Sequence, residues 1–211
     1  STSYFHKSIG GYHGAKLKRY QELIDAHISK GNMNVLNMLN TKYFINQNGK
    51  VNRNSQSLGN AWFIDNIEFV DNADNEILAL NNFNPKNKAI VDIKFQSLVN
   101  DYAKDSLSII KLNSYKPNFL SYSTSSSLNQ IAVFSEIFYD KGWNAYIDGV
   151  LVPHFRANYI LRALSIPKGS HIVEFKFEPS VFKIGENISL ASSVLLIILL
   201  IFVSLKELKL K

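Results

Sequence analysis

Between Trp143 and Arg162 the chain carries Trp143, Tyr146, His154, Phe155, Arg156, Asn158, Tyr159 and Arg162. Aromatic faces stack on sugar rings, and Arg and Asn side chains donate to hydroxyl or phosphate oxygens. Five of these residues, Trp143, Arg156, Asn158, Tyr159 and Arg162, are therefore candidate contacts for a glycan or a phosphate. A blander reading uses the same residues: Trp143 and Tyr159 fill a β-sandwich core, while Arg156 and Arg162 pair with Asp140 or Asp148. Exposure separates the two readings. A shared concave patch holding Trp143, Arg156 and Tyr159 favours glycan contact.

Other chemistry is thinly represented. The histidines, His6, His13, His27, His154 and His171, are scattered without ligand spacing, apart from His6 and His13 in a Gly-rich stretch, so no metal site is expected. Gly10, Gly11 and Gly14, with Lys16 nearby, could cradle a phosphate at a helix start, although turn geometry accounts for them as well. Asp65, Glu68, Asp71, Asp74, Glu76, Glu136, Asp140 and Asp148 supply carboxylates, yet nothing in the sequence pairs two of them across a cleft as glycoside hydrolysis requires. G-x-S-x-G, P-loop and dinucleotide fingerprints are absent. The chain has no cysteine, which removes disulfides, thiolate metal sites and thiol nucleophiles. No catalytic residue and no cofactor is expected within it.

Charge narrows the partners. A net charge of +6 and a pI near 9.3 would ordinarily bring nucleic acid into view, but only 19% of residues are charged and the basic ones are dispersed. Groupings such as Lys16, Lys18 and Arg19 read as a solvated helix face. Nucleic acid is not an expected partner.

These residues need a scaffold, and the pattern is mainly β with a short helical N-terminal part. Leu17, Tyr20, Leu23, Ile24, His27 and Ile28 recur at helical spacing over Ala15 to Ser29, with Gly31 as the stop. Asn32 caps a second short helix presenting Val35, Leu36 and Leu39. Thr41 to Ile45 turns strand-like, and Asn46 to Gly59 reads as a loop or exposed hairpin. Short β-type runs follow over Trp62 to Val70, Ala89 to Phe95, Ser106 to Asn113, Asn118 to Ser125 and Ile131 to Tyr139. Glu76 to Leu80 adds one helical turn. Ala145 to Ile147, the Asp148-Gly149 turn, Val150 to Phe155, Tyr159 to Ser165, the turn at Pro167 to Gly169, and His171 to Glu178 have the spacing of an antiparallel meander. Val173, Phe175 and Phe177 alternate with Glu174, Lys176 and Glu178, which gives one buried and one wet face. Ser121 to Ser127 (SYSTSSS) reads as a polar edge strand. The expected architecture is an antiparallel, jelly-roll-like β-sandwich.

From Asn187 to Leu205 (NISLASSVLLIILLIFVSL) the chain is free of charge, and Val194 to Val203 is apolar on every face. At 1.5 Å per residue this run spans about 28 Å, close to the hydrocarbon thickness of a bilayer. Lys206, Lys209 and Lys211 follow, opposed only by Glu207, so this end is expected in the cytoplasm and the preceding region outside. The lipid bilayer is thus the first partner. The organisation expected is a helical segment over 1–45, an extracytoplasmic β-sandwich over 46–182, a transmembrane helix over 187–205 and a basic tail over 206–211. With no initiator Met or signal-peptide pattern at Ser1 to Gly11, the chain is expected to be a piece of a longer protein.

The strings YFHKSIGGYHGAKLKRYQELI (Tyr4 to Ile24), NMLNTKYFI (Asn37 to Ile45), GNAWFIDNIEFV (Gly59 to Val70) and KGWNAYIDGVLVPHFRANYILRALSIPKGSHIVEFKFEP (Lys141 to Pro179), followed by the apolar run, resemble the C-terminal region of YfhO-type bacterial membrane proteins. The resemblance implies a large multi-pass protein similar to glycosyltransferases of the GT-C class, which use lipid-linked sugars at the outer membrane face. In Gram-positive relatives it implies glycosylation of lipoteichoic acid. The composition, rich in Asn, Lys and Ile, and strings close to Bacteroidetes-like members point instead to a Gram-negative host, in which the domain would face the periplasm. The catalytic carboxylate of such enzymes is expected near N-terminal spans, so no catalytic residue carries over onto this chain. The ligand implied is a lipid-linked sugar or a cell-envelope glycan.

Overall fold

The computed structural model describes residues 7–10, 15–46 and 48–209. Helix α1, Lys18–Leu23, continues as one wide turn, Ile24–Ile28, in which the Ser29 amide donates to the Ile24 carbonyl at 2.9 Å. The widening aims His27 inward. Its Nε2 donates to the Ile77 carbonyl at 2.9 Å, and its Nδ1 accepts from Asn32 Nδ2 at 3.0 Å. Gly31, at φ +69°, ends the turn. Asn32 then caps α2, Met33–Met38, by accepting from the amides of Asn34 and Val35.

Two antiparallel sheets form the sandwich. The larger comprises β6 (Ile109–Lys116), β7 (Phe119–Ser126), β9 (Trp143–Ile147), β10 (Val150–Val152) and β13 (Gly169–Phe177), in the order β10-β9-β13-β7-β6. The smaller comprises β3 (Ala61–Ile64), β8 (Gln130–Ile137), β11 (Phe155–Ala157) and β12 (Leu161–Ile166), in the order β11-β12-β8-β3. Leu120, Tyr122, Val173 and Phe175 from one sheet pack on Ala132, Phe134, Leu164 and Ile166 from the other. Phe134 meets Tyr122 and Phe175 edge-on at 4.9 Å each, a geometry favoured by ring quadrupoles.

The smaller sheet is covered on its other face too. Ile131, Val133, Phe155, Leu161 and Ala163 share a second core with Leu23, Val35 and Met38 and with the unit β4 (Asn66–Val70), α3 (Ala73–Ala79), β5 (Lys88–Asp92). Burial on both faces explains why β8 reads as a continuous apolar run, IAVF, rather than an alternating one. β4 and β5 pair in parallel through the α3 crossover, the one parallel pair among the described residues. A separate exposed hairpin, β1 (Tyr43–Ile45) with β2 (Val51–Arg53), lies before β3.

Three sequence expectations need correction. Trp62 to Val70 is two strands in different sheets, broken at Asp65. β7 is an interior strand flanked by β13 and β6, because Leu120, Tyr122 and Thr124 bury one face while its serines line the other. The expected meander is two separate hairpins, β9–β10 in the larger sheet and β11–β12 in the smaller, after which β13 returns to the larger sheet and pairs with β7 and β9.

Helix α4, Ser180–Lys209, follows β13 after only Glu178 and Pro179. Every side chain described from Ser180 to Lys206 is exposed, so no packing within the chain accounts for its apolarity. The helix is long and apolar enough to cross a membrane.

Candidate functional site

Trp143 opens β9 directly opposite Phe177, the last residue of β13, and the two rings lie 5.4 Å apart. The Trp143 end of the sandwich is therefore the end from which α4 departs. Glu178 locks this corner: its amide donates to the Gly142 carbonyl at 2.6 Å, and its carboxylate accepts from Asn144 Nδ2 at 3.0 Å and from the Tyr146 hydroxyl at 2.7 Å. Here a groove of about 430 Å³ opens, lined by Phe138, Asp140, Trp143, Asn144, Leu151, Val152, Pro153 and His154, with the Ala145 strand beneath.

His154 sits among rings, 5.3 Å from Phe138 and 5.7 Å from Phe175. Burial, and secondarily the Arg162 cation, pull its pKa down to about 4, so the imidazole is neutral at physiological pH. Its Nε2 is buried with no hydrogen-bond partner among the described residues. Behind Trp143, the Arg162 guanidinium carbon lies 4.0 Å from the indole centroid and 5.2 Å from the Phe175 ring. Arg162 Nε donates to the Ile137 carbonyl at 3.0 Å. Desolvation lowers its pKa to about 10, against the opposing pull of Glu136. Glu136 is in turn pushed up by burial.

Arg156, Asn158 and Tyr159 lie elsewhere. Arg156 is paired across strands with Arg162, but its guanidinium ends against Glu76 at 3.3 Å and Asp92 at 3.5 Å. Glu76, fully buried, also accepts from Arg19 at 3.0 Å and from the Tyr159 amide at 3.0 Å. The Tyr159 hydroxyl donates to Glu22, and Arg19 stacks on the Tyr159 ring at 4.5 Å. Asn158, at φ +50°, exchanges two 2.8 Å hydrogen bonds with Ile90, one through its amide and one through Oδ1. These residues join α1, α3, β5 and the β11–β12 turn.

The structure thus divides the sequence-derived set. Trp143 borders the groove with Arg162 behind it, while Arg156, Asn158 and Tyr159 are buried in the polar cluster around Glu76. The expected acids are not the partners of Arg156: Asp140 lines the groove, and Asp148 holds His171 at 2.6 Å. Sequence reasoning missed Phe138, Leu151, Val152 and Pro153, although Pro153 falls where the run Val150 to Phe155 breaks into β10 and β11 of opposite sheets. Gly11, Gly14, His6 and His13 lie outside the described residues. Among the described residues no group of three His, Asp or Glu is placed to hold a metal ion.

A family model described as bacterial membrane protein YfhO matches residues 13–189, which covers both layers of the domain and the first third of α4. No curated protein and no solved structure matches the chain. The β-rich domain, the exposed apolar helix and that match agree, and the chain belongs to the YfhO family of bacterial membrane proteins.

Proposed function

We propose that this chain is the extracytoplasmic domain and last span of a YfhO protein that serves transfer of a sugar from a lipid-linked donor. Its part is to hold a saccharide in the Trp143 groove at the membrane surface. One observation carries this reading: the groove lies at the end of the sandwich from which α4 leaves, two residues from its first turn. A sugar attached to a lipid headgroup is presented at that height. Trp143 offers a stacking face, and Asp140 and Asn144 offer an acceptor and a donor for hydroxyls. The groove has the volume of a small-molecule site. The chemistry of transfer is assigned to other spans of the parent protein. Lys206, Lys209 and Lys211 support a cytoplasmic C-terminus, with the domain outside.

A second reading, a purely structural module, is favoured by the Glu76 cluster, which uses Arg156 and Tyr159 for internal bonds. The two readings separate on a binding experiment. The detergent-solubilised chain is titrated with short-chain polyprenyl-phosphate sugars and with a glycan array, alongside Trp143→Ala. Binding that Trp143→Ala removes supports the groove. No saccharide bound by either protein, together with unchanged sugar transfer by a full-length Trp143→Ala variant, overturns it.

A further inference from the structure

From Ala26 to Ile64 the chain contains no Asp or Glu, while it carries Lys30, Lys42, Lys50 and Arg53. The exposed β1–β2 hairpin lies within this acid-free stretch. Its register, Tyr43 opposite Arg53 and Ile45 opposite Val51, puts these four residues on one face. That face is open: Tyr43 is 59% exposed, Ile45 51% and Val51 57%. Lys42, Lys50 and Arg53 are also exposed, and none has an ion-pair partner among the described residues. Three large apolar side chains beside three unpaired cations are an odd surface to leave in water.

The hairpin's place in the fold accounts for it. β8 runs toward Phe138, which lines the groove at the end where α4 begins. Ser135, three residues before Phe138, donates its hydroxyl to the carbonyls of Met38 at 2.6 Å and Gly59 at 2.8 Å. These two residues flank the hairpin segment. Asn54 fastens the hairpin base to the same place, donating to Asn37 and to the Thr41 carbonyl at 2.8 Å each. Along β8 the step from Ser135 to Phe138 is about 10 Å, and a hairpin arm from Tyr43 to the turn at Asn46 also reaches about 10 Å. The hairpin is rooted at the membrane end of the smaller sheet and is long enough to bridge that step.

We propose that the β1–β2 hairpin is a membrane-surface anchor, which seats Tyr43, Ile45 and Val51 among the headgroups of an anionic phospholipid leaflet while Lys42, Lys50 and Arg53 contact lipid phosphates. Apolar and aromatic side chains partition into the interface, and nearby cations are drawn by its negative potential. The anchor gives the domain a second attachment beside α4. It does not depend on what the groove binds.

The absence of cysteine makes the test direct. The 211-residue chain carrying Ile45→Cys is labelled with an environment-sensitive fluorophore and reconstituted in nanodiscs containing phosphatidylglycerol, or phosphatidylcholine alone. Leu107→Cys is the control, being 85% exposed in the turn before β6 at the opposite end of the sandwich. In phosphatidylglycerol discs the label at 45 is expected to be shielded from an aqueous quencher and quenched by a lipid-borne one, while the label at 107 stays open to water. Lys50→Gln and Arg53→Gln, both at exposed positions, should each lower the ratio of shielded to open label about fivefold. A label at 45 as open as that at 107 overturns the proposal, as does shielding that is equal in phosphatidylcholine or unmoved by either charge substitution.

Discussion

Glu76 on α3 accepts a hydrogen bond from the backbone amide of Tyr159, 83 residues further along, at 3.0 Å, and offers no surface to solvent. That carboxylate also takes Arg19 from α1 and Arg156 from β11, so it joins elements that share no sheet. Removing it takes the nearer carboxylate from two cations and leaves the buried Arg156 with only Asp92, at 3.5 Å. Glu76→Ala should cost about 3–5 kcal/mol in urea unfolding, and Glu76→Gln, which can still accept from Tyr159, should cost less. A loss under 1 kcal/mol for Glu76→Ala would show that the cluster is not a clamp.

Asn158 closes the neighbouring junction. Asn158→Gly keeps a residue that accepts φ +50° but removes the Oδ1 acceptor from the buried Ile90 amide. A loss of about 1–3 kcal/mol is expected. Asn158→Ala should lose more, since alanine also disfavours that backbone region. Thermal melts of the three proteins test the order.

Two histidines should give stability opposite pH slopes. His154 has its folded pKa lowered to about 4 from 6.5, so the unfolded chain takes the proton first and stability falls as pH drops from about 6.5 to 4. His171 is raised by its bond to Asp148, with Nε2 on the Lys168 carbonyl. Its contribution is full below 6.5 and is lost as pH climbs through the folded value. His154→Gln should flatten the acid limb of the stability profile, and His171→Gln the neutral one, in unfolding measured from pH 4 to 8.

The span makes its own prediction. Ile198→Lys places a charge at the centre of the apolar run, costing about 2.5–3.5 kcal/mol of insertion free energy. A glycosylation-based insertion assay should show the ratio of inserted to non-inserted chain falling by more than tenfold.

Much of this fold was legible in the residues because the signals were local. The Asn32 cap, the Asp148-Gly149 turn, the alternation of Val173 and Phe175, and the apolar run of α4 each depend on neighbours a few positions away. Strand partnership did not show. NIEFV and KAIVD look like any short β runs, and nothing in them says that they pair in parallel across α3. The serines of β7 suggested an edge, because composition does not reveal that Tyr122 and Leu120 on the other face are enclosed. The candidate site was legible at Trp143 and His154, which line the groove, and at Arg162 behind Trp143. Arg156 and Tyr159 have the right chemistry for a ligand, but Glu76, their actual partner, lies about eighty residues away.

The junction of β13 with α4 bears on motion. Glu178 is fastened to Gly142, Asn144 and Tyr146, and Pro179 follows at once, which leaves no slack between a central strand of the larger sheet and the helix. Such a joint is not a tether on which the domain could swivel. Any rocking or turning of α4 would be delivered to the sandwich as a lever stroke, and the wall of the groove that contains Trp143 would be the first part to move.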